Sequence, residues 1–449
     1  MIAMNVRRTV LIVALMILAG VGAGLGSGQV HRQNKNLSIF FSGDTEGEIT
    51  TCGCPKLDYG GATRRAAFFD TLRTAGWSFL ALDAGGIAPF APLDLQGRMK
   101  VETLARSMAT MDYHAVALGH HDLSLGKEFV GQMVGWLDQP VLGTNYDLGL
   151  GESAQRRERV VEIRGVRVGV LGFLDPELAG EDMAWVEVES WEDQKERVHS
   201  IRGRCDVLIA VASVGGNQRM ADLSTLYPQL DLIIGTHLGD LTPDLTKAGD
   251  KTWYTGIAGK GRYLGRIEVS FHDGGGIADI QSRFLPVEAA WGRRKPVDDL
   301  VRAYFSELRG LIASDEFLAE RTSNLKEPPF EYTGTGACVE CHQDQYTQWQ
   351  GTAHAQAKET LVADGKEQVP ECQACHSTGA GFRTGFVTPS TTPDRWQVGC
   401  ETCHGPGAGH LKDTAAPYGM ILAEACVDCH TDHDSPEFDY ETYLPKVVH

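Results

Sequence analysis

The sequence predicts an α/β domain followed by a smaller domain of a different kind. Short apolar runs typical of buried strands recur between residues 37 and 287, whereas the pattern C-x-x-C-H occurs four times after residue 337. The 449 residues suffice for two or three domains, and 42% hydrophobic residues with 52 glycines are typical of a globular, loop-rich chain. The net charge of −18 argues against a nucleic-acid partner, because no basic tract could neutralise phosphates.

Residues 1–30 have the layout of an export segment. Arg7 and Arg8 precede the apolar run 10–19, and small residues follow through Gly28. We expect export to the periplasm or another extracytoplasmic compartment. The apolar stretch of roughly 18 residues can be cleaved or can remain as a single membrane anchor, and the sequence leaves both open. A lipoprotein anchor is not expected, because no cysteine directly follows the run.

Residues 36–290 are predicted to form a layered α/β domain. The predicted strands are residues 38–41, 79–82, 115–118, 166–171, 207–211 and 232–234. Helical patterns lie between them, including residues 61–75 and 100–111. Several strands end in Gly, Asp or His, at the edge where open α/β sheets place their sites.

These strand ends resemble those of the calcineurin-like metallophosphoesterases, especially the periplasmic 5'-nucleotidase branch. The residues that carry the resemblance are Gly43-Asp44, Gly60-Gly61-Ala62-Thr63-Arg64-Arg65, Leu82-Asp83-Ala84-Gly85, Gly119-His120-His121-Asp122, Thr144-Asn145, Gly165-Val166-Arg167-Val168-Gly169-Val170-Leu171-Gly172 and Asp231-Leu232-Ile233-Ile234-Gly235-Thr236-His237. The resemblance implies a metallophosphoesterase-like four-layer sandwich, in which two sheets are flanked by helices.

The two-metal site of that family is only partly kept. Two of the family's ligand positions keep their residue: the first aspartate matches Asp44, and one histidine of the last pair matches His237. At the other ligand positions, Glu46 replaces a histidine, Gly86 the bridging aspartate, His120 the asparagine, Ser213 a further histidine and Gly239 the second histidine of the last pair. His121 matches the catalytic histidine, while the aspartate that orients it falls on Ser124. Loss of the bridging carboxylate should abolish a paired metal centre.

We therefore expect no efficient phosphoesterase activity from this domain. Asp44, Glu46, His120 and His237 could still hold one divalent metal ion, since carboxylates and imidazoles suit several such ions. They could equally be remnants in polar loops at strand ends.

The segment Cys52-Gly53-Cys54 lies between these motifs and resembles a 5'-nucleotidase-like subgroup, some members of which have selenocysteine near this point. A C-x-C pair around a glycine can close a strained, reducible disulfide. A structural disulfide and a soft-metal pair remain open as alternatives. Cys52, Cys54 and His121 are the candidate catalytic residues here, whereas Cys205 precedes a buried strand and is expected to be an inert core thiol.

Residues 291–327 are predicted to link the two domains. A polar connection at 289–296 leads into a helix with an apolar face, formed by Val297, Leu300, Val301, Tyr304, Leu308 and Leu311. We expect this helix to dock the domains against each other, and residues 326–329 to form an extended linker.

Residues 328–449 contain the four C-x-x-C-H motifs. They are Cys338-Val339-Glu340-Cys341-His342, Cys372-Gln373-Ala374-Cys375-His376, Cys400-Glu401-Thr402-Cys403-His404 and Cys426-Val427-Asp428-Cys429-His430. Each has two thiols to form thioethers with haem vinyl groups and an imidazole to bind the iron, which predicts four covalently bound haem c groups. Zinc sites need no histidine after each pair, and cysteines three apart bridge poorly, so both alternatives are weaker.

Four further histidines lie in this segment, namely His354, His410, His433 and His449. One spare imidazole per haem suggests that each fills a sixth coordination position, giving bis-histidine irons suited to electron transfer. If one of the four is not a ligand, that haem is open and could perform chemistry.

The segment resembles the tetrahaem cytochrome c-554 family. The matching residues are Tyr332 and Gly334, the stretch 349–355 around His354, Cys400-Glu401-Thr402-Cys403-His404-Gly405-Pro406-Gly407 with His410, and His433, Ser435, Pro436 and Phe438. In that family the counterparts of His354 and His410 are distal haem ligands. The resemblance implies a small, mostly helical multihaem cytochrome c domain wrapped around closely stacked haems.

The leading hypothesis is an exported electron-transfer protein whose first domain serves for docking or thiol redox coupling. The acidic chain is compatible with a basic redox partner, although an acidic solvated surface is the simpler explanation. The alternatives are an enzyme, either a multihaem reductase with one open haem or a residual metal-dependent phosphoesterase, and a binding protein that captures a ligand near Asp44 and Cys52.

Overall fold

The structure is a computed structural model that describes residues 36–51, 58–89, 93–236, 242–249, 251–363, 365–419, 421, 423–431, 435 and 437–449. The chain divides into two compact units, one reaching to Tyr304 and one formed mainly by Phe305–His449. The predicted export segment, Cys52, Cys54, His237 and His433 lie outside the described residues. Within the described ranges no helix is long and apolar enough to cross a membrane.

The first unit alternates strands and helices. Its strands are β1 (Asn36–Ser42), β2 (Leu80–Asp83), β3 (Ala115–Val116), β4 (Val141–Leu142), β5 (Tyr146–Asp147), β6 (Gln155–Arg156), β7 (Arg159–Ile163), β8 (Val166–Leu174), β9 (Glu187–Val188), β10 (Val207–Ser213), β11 (Leu232–Thr236), β12 (Thr242–Ala248), β13 (Thr252–Gly256), β14 (Tyr263–Phe271) and β15 (Ile277–Pro286). Its helices are α1 (Ala62–Thr74), α2 (Leu95–Ala109), α3 (His120–Leu123), α4 (Lys127–Leu137), α5 (Lys195–Arg202) and α6 (Asn217–Leu226). All six predicted strands and both predicted helices are confirmed, with shifted ends.

Two mixed sheets organise this unit. The first has the order β15-β14-β1-β2-β3 and the second the order β12-β13-β11-β10-β8-β7. β1, β2 and β3 run parallel, as do β8, β10, β11 and β13. The carboxyl ends of parallel strands meet at one edge of a sheet, so each sheet gathers its polar strand-end loops at one edge.

The core lies between the sheets. Because successive side chains of a strand point to opposite faces, Ile39 of β1 and Ile209 of β10 join one buried cluster that contains residues of both sheets. The neighbouring residues face outward: Phe40 packs edge-on against Phe68 of α1, with ring centroids 5.3 Å apart, and Leu208 joins a second cluster with residues of α5 and α6. Helices therefore cover the sheet pair on both sides, which confirms the predicted four-layer sandwich.

Helix α2 begins five residues before the predicted start. The side chain of Asp94 accepts a hydrogen bond from Gly97 N at 2.6 Å and so satisfies one of the free amides of the first turn. The sequence pattern located the buried face of this helix, from Lys100 onward, and missed the first turn.

The second unit consists mainly of short helices, as the prediction for this region stated. α7 (Lys295–Ile312) contains the boundary between the units and occupies the predicted linker helix. The helices that follow are α8 (Asp315–Ser323), α9 (Gln343–Gln350), α10 (Ala357–Ala363), α11 (Pro370–Cys375), α12 (Cys400–His404), α13 (Ala408–Lys412), α14 (Glu424–Val427) and α15 (Tyr440–Tyr443). From Tyr332 onward, few of the residues that the structure describes are both apolar and buried: Tyr332, Ala357, Leu361, Val369, Phe386, Val387, Trp396 and Val398.

Candidate haem sites and the strand-end polar site

Each C-x-x-C-H motif forms a turn of helix. The backbone amides of His342, His376 and His430 donate to the carbonyl of the first cysteine of their own motifs at 2.9–3.1 Å, and the third motif is α12 itself. Residues three and four apart lie on the same side of a helix, so the two thiols and the imidazole of each motif face one side. This is the arrangement that covalent attachment of haem c requires. We number the four candidate haem sites, site one to site four, in the order of their motifs.

The thiols of different motifs approach one another. Cys338 of site one hydrogen-bonds to Cys400 of site three, and Cys375 of site two to Cys429 of site four. Cys403 of site three also lies near Cys426 of site four. The four sites are therefore contiguous in the order one, three, four, two.

Three imidazoles of the motifs face spare histidines. The ring centroids are 6.3 Å apart for His342 and His410, 6.2 Å for His354 and His430, and 5.6 Å for His404 and His449. Two imidazoles on opposite sides of one iron, each bound at about 2 Å through a ring nitrogen, have ring centres roughly 6 Å apart. These pairs have the spacing of axial ligands, so sites one, three and four fit a six-coordinate haem.

The second nitrogen of several rings is occupied by a neighbouring oxygen. Nδ1 of His376 lies 2.7 Å from the carbonyl oxygen of Ala357, and Nδ1 of His404 lies 2.9 Å from that of Gly419. Nδ1 of His430 lies 2.9 Å from the hydroxyl of Ser435. Such bonds fix the ring orientation and leave Nε2 for a metal. Burial also lowers the pKa of His354 and His430, which favours the neutral, ligating form.

Aromatic rings stack on two of these imidazoles, a feature that the sequence did not indicate. Tyr418 stacks on His410 at 4.8 Å with an interplanar angle of 9°, and Phe438 stacks on His430 at 4.6 Å and 7°. Planar neighbours restrict ring rotation. Both imidazoles are thus held in one orientation by packing.

His376 of site two differs from the other three. It forms no ring pair with another histidine among the described residues. His433, the remaining spare histidine, lies outside them. The sixth ligand of site two is therefore assigned to His433 only as a prediction.

The strand-end site of the first unit is built by the loops after β1 and β2. Asp44 N donates to Gly85 O at 2.8 Å and Glu46 N to Gly86 O at 2.9 Å. Asp44 and Glu46 adopt the left-handed conformation, with φ values of 44° and 49°, which is uncommon outside glycine. The two loops are thus fixed to each other through their backbones.

Asp122 joins these loops to the loop after β3. Its fully buried carboxylate accepts from the amides of Gly86, Ala88 and Gly119 at 2.8–2.9 Å. Burial raises the pKa of Asp122 to about 6, although the three amide donors oppose that shift. The carboxylate therefore serves as a buried acceptor that holds the loop after β2 against the loop after β3.

The two adjacent histidines lie at the same edge. Nδ1 of His120 is 3.1 Å from the hydroxyl of Ser213, at the end of β10, and its ring centroid is 4.1 Å from that of His121. Ser124 donates its hydroxyl to the main-chain carbonyl of His121 at 2.8 Å. Asp44, Glu46, His120 and His121 thus lie in loops at the same strand-end edge, while His237 lies outside the described residues.

These residues do not fit the paired metal centre of the related fold. A Cβ atom at Gly86 would lie 2.4 Å from Oδ1 of Asp44, so the position of the bridging carboxylate is filled by Asp44. Glu46 pairs with Lys260 at 3.4 Å. Among the described residues no three His, Cys, Asp or Glu side chains are grouped closely enough to hold a metal ion. The prediction that includes His237 in a one-metal site stays a prediction.

Comparison with known proteins finds relatives for both parts of the chain. The family model described as cytochrome c554 and c-prime matches residues 337–405, which contain three of the four motifs. Cytochrome c-554 of Nitrosomonas europaea is 35% identical over 109 residues, covering 21% of this chain and 46% of that protein. A 5'-nucleotidase of Vibrio cholerae is 25% identical over 257 residues, covering 48% of this chain and 46% of that protein.

This chain fuses a 5'-nucleotidase-like domain to a cytochrome c-554-like domain. The structure of a 5'-nucleotidase precursor from Thermus thermophilus matches with a TM-score of 0.54 and 19% identity over 62% of this chain and 60% of that one, which supports the fold. The chain spans about half the length of the two curated relatives named here. The cytochrome family implies covalently bound haem c, and it confirms the resemblance found from the motifs.

Proposed function

We propose that this protein is an exported tetrahaem c-type cytochrome that relays electrons between redox partner proteins. The observation that carries the proposal is the set of three imidazole pairs at 5.6–6.3 Å together with the thiol contacts between motifs. Haem supplies the one-electron centres when bound, and the protein holds, orients and desolvates them. Donor and acceptor are proposed as redox proteins, and a basic surface on either would complement the net charge of −18.

The residues at each site have distinct tasks. Cys338 and Cys341, and the corresponding pairs of the other motifs, hold the porphyrin covalently. His342, His376, His404 and His430 are the proposed proximal ligands, and His410, His449 and His354 the distal ligands of sites one, three and four. His433 is proposed for site two. With both axial positions filled, a site passes electrons and binds no substrate.

Electron paramagnetic resonance of the oxidised holoprotein at low temperature tests this assignment. We expect each of the variants His410→Ala, His449→Ala and His354→Ala to convert one low-spin haem into one high-spin haem, because each loses one sixth ligand. His272→Ala is the matched control, since His272 is exposed in the first unit. A distal variant that leaves the spin count unchanged contradicts the assignment of that histidine.

The second candidate function is reduction of a small molecule at an open haem. The observation that favours it is site two, where His376 has no histidine ring partner among the described residues. A stoichiometric high-spin signal in the unmodified protein, unchanged in His433→Ala, would support this function. Four low-spin haems, with one lost in His433→Ala, would exclude it.

The first domain is proposed as a docking platform or thiol redox partner without efficient phosphoesterase activity. The contact between the Gly86 position and Asp44 supports this, because it removes the place of a shared metal ligand. Hydrolysis of a chromogenic phosphate ester should stay at background with and without Mn²⁺. Alkylation of Cys52 and Cys54 only after haem reduction would support thiol coupling, and inertness in every state would refute it.

The protein is proposed to act outside the cytoplasm, either free in the periplasm or tethered to the inner membrane. The basic residues and apolar run within 1–30 support export. N-terminal sequencing of the mature holoprotein distinguishes the two forms, since a cleaved chain begins after the apolar run and a tethered chain retains it.

A further inference from the structure

Glu401 is a buried carboxylate inside the third C-x-x-C-H motif. It lies directly after Cys400, and only 1% of its surface is exposed. Its oxygens accept from Gly334 N and Gly407 N at 2.7 Å each, from Thr333 N at 2.9 Å and from the hydroxyl of Thr333 at 3.2 Å. Every group that reaches the carboxylate is a donor, as an ionised carboxylate requires.

These donors are all electrically neutral. They stabilise a negative charge in the interior without cancelling it, unlike an ion pair with Lys or Arg. The carboxylate lies near two tyrosines, Tyr332 and Tyr418. Tyr418 in turn stacks on His410, the proposed distal ligand of site one.

The charge lies between two haem sites. Glu401 adjoins Cys400 of site three in sequence, and Cys400 hydrogen-bonds to Cys338 of site one. The Glu401 carboxylate also lies near Cys338 itself. Among the described residues no Lys or Arg forms an ion pair with Glu401, so sites one and three share a buried negative charge that neutral donors alone stabilise.

The other motifs lack such a charge at the same position. The residue after the first cysteine is Val339 in the first motif and Val427 in the fourth. In the second motif it is Gln373, which is also 1% exposed but neutral, with Nε2 donating to Glu367 O at 2.8 Å. The second and third motifs thus place a neutral and a charged side chain of nearly equal shape at equivalent buried positions.

We propose that the buried carboxylate of Glu401 lowers the reduction potentials of the haems at sites one and three. The inference rests on the proposed relay, because it requires haem at both sites. Reduction adds one electron to Fe³⁺ and gives Fe²⁺, so the oxidised site carries one more positive charge. A nearby negative charge stabilises the oxidised form, and the low interior dielectric constant strengthens this effect. Glu401 is a positioning and tuning residue, and it binds neither iron nor substrate.

The test is a potentiometric titration of the holoprotein followed by visible absorption and by electron paramagnetic resonance. Signals lost in His410→Ala, His449→Ala and His354→Ala assign sites one, three and four. Glu401→Gln places in the third motif the neutral side chain that Gln373 supplies in the second. In this variant we expect the reduction equilibria of sites one and three to shift at least tenfold toward the reduced form, which is an increase of about 59 mV in reduction potential for a one-electron couple. The potential of site four should stay unchanged.

Two further variants separate charge from packing. Glu340→Gln removes a carboxylate from the first motif, but Glu340 is exposed, so solvent should screen its charge and leave all potentials unchanged. Glu401→Asp keeps the charge and alters the packing, so it should keep the potentials low. Equal shifts in Glu401→Gln and Glu401→Asp would show a packing effect and would overturn the proposal.

The unmodified protein offers a second measurement that does not depend on a variant folding. Sites one, three and four share the proposed bis-histidine ligation, but only sites one and three adjoin Glu401. We expect both to titrate below site four, and the reverse order overturns the inference. Unchanged potentials in a fully loaded Glu401→Gln protein refute the tuning role alone, whereas missing haems or missing low-spin signals in the unmodified protein refute the relay itself.

Discussion

Replacement of Gly86 by alanine tests whether the metal-bridging position is closed. Gly86 is buried and has a φ of +71°, a conformation that costs an L-residue roughly 1–2 kcal/mol. A Cβ at this position would lie 2.4 Å from Oδ1, 2.9 Å from Cα and 3.1 Å from N of Asp44. The backbone of Asp44 is itself bonded to Gly85 and cannot move freely. Overpacking of this kind adds about 1–3 kcal/mol.

We therefore expect Gly86→Ala to lower the free energy of unfolding by about 2–5 kcal/mol. Gly76→Ala is the matched control, because Gly76 has a φ of +79° but no atom within 4 Å of its Cβ position. It should lose only the backbone contribution, about 1–2 kcal/mol. Urea unfolding followed by pulse proteolysis measures both variants in the holoprotein.

Gly86→Asp extends the test to metal binding. It carries the same Cβ and places a second carboxylate beside that of Asp44, so we expect destabilisation and no tight Mn²⁺ binding by calorimetry. If Gly86→Ala costs no more than Gly76→Ala, the steric argument is wrong. If Gly86→Asp binds Mn²⁺ tightly without loss of stability, the site is a metal centre that lacks one ligand.

Three other predictions concern the first unit. Burial lowers the pKa of His114 to about 4 from 6.5, and Nδ1 accepts a hydrogen bond from Ala81 N at 3.0 Å. The stabilisation by neutral His114 should be complete above pH 6.5, and the free energy of unfolding should fall by up to about 3 kcal/mol as the pH drops toward 4. Urea titrations at several pH values should show this fall in the unmodified protein and not in His114→Gln. The side chain of Asp175 is 1% exposed and pairs with Arg219 at 2.6 Å. Asp175→Ala should lower the free energy of unfolding by about 2–3 kcal/mol in the same assay, less than the loss of a fully buried pair because Arg219 is partly exposed. A decrease below about 1 kcal/mol would contradict this estimate. Burial raises the pKa of Cys205, so iodoacetamide should label it only after unfolding, and labelling of the native protein would refute the inert-thiol assignment.

The parallel strands of the first unit could be predicted because they are buried on both faces. Continuous apolar runs such as β10, all seven residues of which are buried, are recognisable without alternation. The hairpin of β14 and β15 was not predicted. β15 is an edge strand in which nine of the ten residues are exposed or partly exposed, so it contains no such run. Its partner β14 pairs with β1, placing Ile267 opposite Ile39, a contact that local sequence patterns do not reveal.

The haem motifs could be identified from the sequence, but the pairing of distal histidines could not. His410 is six residues from His404 yet faces His342, and His354 faces His430 rather than His376. Sequence separation carries no information here, because short helices and turns bring each ring back to a different motif. Glu401 was also overlooked: a glutamate in a motif is ordinarily a solvated charge, and only its burial distinguishes it from Glu340.

Several polar groups of the strand-end site have partners within the protein, and these contacts bear on what holds its loops in place. In a two-metal site, carboxylates and imidazoles converge on cations that balance their charge. Here Glu46 is balanced by Lys260, and the Asp122 carboxylate is satisfied by three backbone amides. His120 is hydrogen-bonded to Ser213. Buried charges and dipoles that are already paired require no metal ion to hold the loops in place.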